Sequence, residues 1–175
     1  MATETTSPPT ATRSPGQLAR EAFDALFERR DIDAVRSMWT EDSVDHFLAL
    51  GVEARGPEQL AEFFRGVHAA FPDFRMKIEN IVEDDRQAVV QWTATATFNG
   101  APFQGIEPTG KRIEMRGCDV FRFTEDGKLD TNTIYYDGAE FARQIGMLPP
   151  RDSVADKGMT GAFNAVTRVR ERLRS

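Results

Sequence analysis

From Ser14-Pro15 onward the apolar positions recur at helical spacing, with Leu18, Ala22, Ala25, Leu26 and Phe27 sharing one face. Ser14 suits an N-cap and Pro15 the first helical position, so the pattern predicts a helix running to about Arg30. Asp31 can cap a second, short helix with Ile32, Val35, Met38 and Trp39 on its apolar side. Gly56-Pro57 opens a third, in which Leu60, Phe63, Phe64 and Val67 form the buried stripe, and which must end before Phe71-Pro72-Asp73. Three helices are thus expected before the sheet begins.

After Phe74 the period changes to two. One strand is expected to about Glu83 and a second over Gln87 to Phe98, where β-branched residues dominate. Asn99-Gly100 reads as a tight type I′ hairpin turn, and Pro108-Thr109-Gly110 as another turn. Arg112 to Thr124 then pairs with Lys128 to Asp137 across Glu125-Asp126-Gly127. Helices first and hairpin-linked strands afterwards imply an α+β fold, with the helices covering one face of an antiparallel sheet. Gly158 to Ser175 places Met159, Phe163, Val166 and Leu173 on one stripe of a C-terminal amphipathic helix, expected to dock on the sheet or cap a cavity mouth.

At 175 residues, 40% hydrophobic and 29% charged, the composition fits one globular domain with tails. The expected division is a leader over 1–15, a domain over 16–149 and a basic helical extension over 150–175. The leader is rich in Thr, Ser and Pro and has no apolar signal stretch, and no run in the chain is long enough to span a membrane, so a cytoplasmic location is expected. Of the net charge of −6, Lys157 to Ser175 contributes five basic residues against Glu171, which leaves −10 on the rest. An acidic body repels phosphates, so no nucleic-acid partner is expected. One cysteine, Cys118, and two histidines give no metal-ligand spacing, and phosphate-binding glycine loops are missing. Neither a metal nor a cofactor is expected.

Several strings carry a family likeness: Trp39-Thr40-Glu41-Asp42, Ala70-Phe71-Pro72-Asp73-Phe74, Phe103-Gln104-Gly105-Ile106-Glu107-Pro108-Thr109-Gly110-Lys111, and Asp119-Val120-Phe121-Arg122-Phe123 with Asp126-Gly127-Lys128. Over about Leu18 to Pro149 the chain resembles the SnoaL-like polyketide cyclases of the nuclear transport factor 2-like superfamily. The resemblance implies a cone-shaped, cystatin-like curved antiparallel sheet with the N-terminal helices over its concave face. It also implies an apolar ligand cavity and, as commonly in relatives, a homodimer built on the open sheet face.

Asp119 interrupts an otherwise apolar strand. A carboxyl in an apolar concavity favours its neutral form and suits hydrogen-bond or proton donation to an enolate oxygen. The resemblance agrees, since this position looks like that of the oxyanion-binding aspartate of ketosteroid isomerases. The other reading, a carboxylate paired with Arg112, Arg116 or Arg122, stands beside it. His46 lies where the superfamily places a cavity-facing residue and, in the isomerases, the general base; a structural histidine at the rim is the alternative. Trp39, Trp92, Phe98, Phe121 and Tyr136 are candidates to line the pocket, with Asn132 and Tyr136 as polar anchors if Asn132, Ile134 and Tyr136 share the inward face.

The chain also departs from its relatives. Phe23 stands in place of the isomerase tyrosine, Phe98 where many SnoaL-like sequences have histidine, and Ile134 where enzymes resembling limonene-epoxide hydrolase keep an aspartate. The expected activity is that of a cofactor-independent cyclase or isomerase acting on a polyketide-like or other apolar carbonyl compound. His46 would abstract the proton and Asp119 would stabilise the enolate. The alternative is a binding or dimerisation domain of the same fold that performs no chemistry.

Overall fold

The computed structural model describes residues 13–174, so most of the expected leader lies outside the described residues. Helix α1 (Pro15–Phe23) starts at a full capping box, with the Ser14 hydroxyl accepting from the Gln17 N–H and the Gln17 side chain accepting from the Ser14 N–H. It continues as a π-helical segment, Asp24–Arg29, that buries three consecutive residues, Ala25, Leu26 and Phe27. A π turn carries an extra residue, which turns Phe27 toward the sheet beside Phe23. Arg30, at φ 54°, ends the helix, and the Asp31 carboxylate caps α2 (Ile32–Arg36) as expected.

The expectation that three helices precede the sheet is corrected here. Strands β1 (Trp39–Phe47) and β2 (Val52–Arg55) come between α2 and α3 (Gly56–Ala70). β3 (Arg75–Glu83), β4 (Gln87–Thr97), β5 (Arg112–Phe123) and β6 (Leu129–Tyr136) follow, then α4 (Gly138–Gln144) and α5 (Val154–Arg174). The single curved sheet has the order β2-β1-β6-β5-β4-β3. It is antiparallel except that β1 runs parallel to β6, because the chain passes through β2, α3 and then β3 to β5 before returning beside β1.

One face of the sheet is apolar and is covered by α1, the π-helical segment and α3. Alternation along β4 buries Ala88, Val90, Trp92, Ala94 and Ala96, and along β5 it buries Ile113, Phe121 and Phe123. Phenylalanines from both layers interlock edge to face, as in Phe23 against Phe121 at 5.9 Å and Phe64 against Phe47 at 6.2 Å between ring centres.

Two further expectations change. Asn99-Gly100 is not a type I′ turn: neither residue has positive φ, and β4 and β5 are joined by a longer loop. The Gly100 and Ala101 N–H groups instead donate to the Ala70 and Ala69 carbonyls at 3.0 and 2.9 Å and so cap the C-terminus of α3. The C-terminal helix is amphipathic but neither docks on the sheet nor caps a cavity, since none of its residues is buried and Phe163, Val166 and Leu173 are exposed. Arg143 and Asp156 tie its first turn to α4 at 3.6 Å. Among the described residues no helix is long and apolar enough to cross a membrane.

A Cβ at Gly100 would fall on the Ala69 carbonyl, so Gly100→Ala must separate the loop from α3. Thermal unfolding should show the variant destabilised by about 1–3 kcal/mol; an unchanged melting temperature would contradict this role for the loop.

Candidate functional site

Between the concave face of the sheet and the helices lies a cavity of about 90 Å³. Its wall is built from Phe27 of the π-helical segment, Phe63, Phe64 and Val67 of α3, and inward residues of β3 to β6. Among the described residues its lining contains one carboxyl, Asp119, and two other polar groups, the Trp92 N–H and the Tyr136 hydroxyl. Lys, Arg and His are missing from that lining. Nor does any group of His, Cys, Asp and Glu among the described residues have a metal-holding arrangement.

Asp119 is 8% exposed and holds both oxygens in hydrogen bonds. Trp92 Nε1 donates to Oδ1 at 2.8 Å and Asn132 Nδ2 to Oδ2 at 3.0 Å. Pairing with arginine does not occur: Arg112, Arg116 and Arg122 sit at even positions of β5 and point to its opposite face. Burial therefore pushes the carboxyl up to about 6, against the pull of its two hydrogen bonds. Gly117 makes the arrangement possible, because a Cβ there would lie 2.5 Å from the Trp92 ring, which packs directly on the β5 backbone.

A second buried carboxyl, Asp45, lies beside the first and does not line the cavity. It is 1% exposed, its Cα pairs with that of Asn132 across the parallel β1·β6 ladder, and its Oδ2 accepts from Trp39 Nε1 at 2.6 Å. Burial pushes Asp45 up to about 7, hydrogen bonds from Trp39 and Asn132 restrain the rise, and the charge of Asp119 adds to it. The result is a buried row running Trp39, Asp45, Asn132, Asp119, Trp92. Tyr136 lies 6.4 Å from the Trp92 ring, and burial pushes its phenol up to about 12, so it stays a neutral donor.

The structure brings some of the expected residues together and separates others. Asp119, Asn132, Trp92 and Tyr136 meet at the cavity and its floor, and Asn132, Ile134 and Tyr136 do share the inward face. His46 is not among them. Its side chain is 32% exposed, with Nδ1 3.0 Å from Glu53 Oε1 on the edge strand β2. Strand alternation turns Asp45 inward and His46 outward. Trp39 sits behind Asp45, Phe98 stacks on Phe71 at 5.0 Å, and Phe121 packs between Phe23 and Phe123, so all three belong to the core and not to the cavity wall. The reading from sequence missed Asp45 and the helical phenylalanines. Phe47 held the signal for Asp45, since a buried phenylalanine two residues on fixes the phase of the strand.

Both carboxyls bind protons more tightly folded than unfolded, where the ordinary value is 3.8. Their contribution to stability is complete below about pH 4 and is lost as pH rises through 6 to 7. Denaturant midpoints should therefore fall from pH 5 to pH 8, and the double variant Asp45→Asn, Asp119→Asn should flatten that slope. An identical slope in the double variant would show that the buried pair does not titrate in this window.

A family model described as SnoaL-like polyketide cyclase matches residues 17–145, ending before α5. No curated protein matches the chain in sequence. The solved structures of similar fold include a putative SnoaL-like polyketide cyclase from Jannaschia sp. CCS1, at 22% identity and a TM-score of 0.68, covering 79% of this chain and 99% of that one. AclR, a putative hydroxylase from Streptomyces galilaeus, aligns at 22% identity and a TM-score of 0.66 over 89% of this chain and 96% of its own. TsrD from Streptomyces laurentii aligns at 23% and 0.66 over 78% and 98%. At these identities the structures speak for the fold alone. The family match covers most of the chain and takes in the whole curved sheet with Asp119 at its floor: the chain belongs to the SnoaL-like polyketide cyclase family.

Proposed function

We propose that the protein is a cyclase or isomerase of apolar carbonyl compounds in which Asp119 moves the proton. The observation that carries this reading is that Asp119 is the one carboxyl, among the described residues, in the lining of an otherwise aromatic cavity. With its proton affinity raised to about 6, it is mostly ionised at neutral pH yet remains a competent base. Trp92 and Asn132 fix both oxygens, so the carboxylate is aimed before the substrate arrives.

Asp119 takes a proton from the carbon next to a substrate carbonyl, and the C–H electron pair moves into an enolate. The Tyr136 O–H donates to the enolate oxygen. In a cyclisation the enolate carbon attacks a second carbonyl of the same molecule, and the new alkoxide takes the proton back from Asp119. In an isomerisation the proton returns to a different carbon of the enolate. His46 has no place in this scheme, because it lies with Glu53 on the far side of β1.

A second reading is ligand binding without turnover, which the almost wholly apolar lining of the cavity favours. At about 90 Å³ the cavity is smaller than the roughly 300–1,000 Å³ of common ligand sites, so a polyketide-sized guest requires the phenylalanine wall to move.

The test is exchange of α-protons of small apolar ketones with solvent deuterium, followed by NMR. Asp119→Asn should lower the exchange rate at least about a hundredfold, Tyr136→Phe should lower it less, and His46→Ala should leave it unchanged. The rate should rise with pH through about 6 and then level off, as the base form of Asp119 fills. Full activity in Asp119→Asn, or binding with no exchange in the parent protein, would favour the second reading.

A further inference from the structure

The buried row can be counted by its donors and acceptors. Two carboxylates with two oxygens each and the Asn132 carbonyl offer five acceptor oxygens, whereas the two indoles and the Asn132 NH₂ offer four N–H donors. The shortfall shows directly: Asn132 Oδ1 is buried with no hydrogen-bond partner. An unpartnered acceptor at such depth costs stability, and one proton within the row would remove the shortfall.

We propose that Asp45 carries that proton, donates it as a hydrogen bond to the Asn132 carbonyl, and thereby acts as a positioning residue that holds the Asn132 N–H on Asp119. The inference rests on the reading of Asp119 as the acid–base group of the cavity and adds a second carboxyl that touches neither substrate nor cavity.

Three observations converge on Asp45 as the protonated member. It is the deeper of the two and lies outside the cavity lining, whereas Asp119 faces the cavity and already accepts a hydrogen bond on each oxygen. It is the direct cross-strand partner of Asn132, so the two side chains project side by side from the same face. Among the described residues no cation favours its ionised form: burial outweighs the hydrogen bonds from Trp39 and Asn132, and the charge of Asp119 opposes a second negative charge. The other titratable group at the cavity is the Tyr136 phenol, while the π-helical segment, α3 and β4 present Phe27, Phe64, Val67 and Trp92. The proton affinities agree in order, Asp45 being pushed up to about 7 and Asp119 to about 6. Between the two ionisations the row as a whole keeps one proton and one negative charge, with the charge on the cavity side.

The experiment is a ¹³C-carboxyl NMR titration of the full chain with labelled aspartate, in the parent protein and in Asp45→Asn and Asp45→Ala. In the parent, Asp119 should ionise before Asp45 as pH rises. Asp45→Asn keeps a donor for the Asn132 carbonyl, so Asp119 should titrate within about half a pH unit of the parent. Asp45→Ala removes that donor and frees the amide, so the Asp119 midpoint should rise by about one unit. Ionisation of Asp45 before Asp119 in the parent, or a drop of about one unit or more in Asp45→Asn, would overturn the proposal, because either result means that Asp45 is an anion beside Asp119. These readings hold even if Asp45→Ala does not fold. They are also independent of turnover: loss of exchange in Asp119→Asn with a contrary titration would sink the role of Asp45 and leave that of Asp119 standing.

Discussion

Two carboxyl groups sit in a core of phenylalanines with no cation among the described residues acting on them, and the inner face of the sheet is organised around that cost. An ionised carboxylate stripped of water is strongly destabilised unless donors replace the water. Here the donors are neutral: one indole for each aspartate and an asparagine amide next to both. Neutral donors hold the oxygens in place without locking the charge on, as an arginine would, and so leave proton affinities near neutrality.

Meeting this need fixes several parts of the chain at once. Trp39 and Asp45 lie at the start and near the end of β1, and the register shift between Trp39 and Val44 lets the indole reach the carboxyl six residues on. β6 puts Asn132 in the gap because it runs between β1 and β5. Gly117 lets Trp92 lie flat across β5 and reach Asp119. The rest of the cavity is aromatic, so Asp119 faces a space where its charge is weakly screened and proton transfer is well placed.

Much of this was legible in the sequence. The helical stripes, the period-two strands from Phe74 onward, the Ser14 and Asp31 caps and the inward phase of Asn132, Ile134 and Tyr136 all follow from spacing. Alternation on β5 also decides the fate of Asp119, since the three arginines hold the other phase. The sequence was silent where periodicity breaks. In β1 the register shift leaves Ser43, Val44 and Asp45 buried in succession, so the strand as a whole shows no strict alternation, and Phe47 alone pointed to Asp45 over His46. Asn99-Gly100 has the composition of a hairpin turn, but a tertiary partner, the C-terminus of α3, took its N–H groups. The exposure of the apolar stripe of α5 could not be read from its spacing, because amphipathicity shows that a face can be buried and not what buries it.

The most direct measurement of the central claim is a crystal structure of the protein with an apolar enolate analogue, such as a naphthol, bound at saturation. The ring should lie inside the phenylalanine cavity, with its oxygen at roughly 2.6–3.2 Å from the Asp119 carboxyl or the Tyr136 hydroxyl and the Asp45–Asn132–Asp119 row unchanged behind it. A cavity that stays closed at saturation, or a ligand seated with its oxygen away from Asp119 and Tyr136, would contradict that claim.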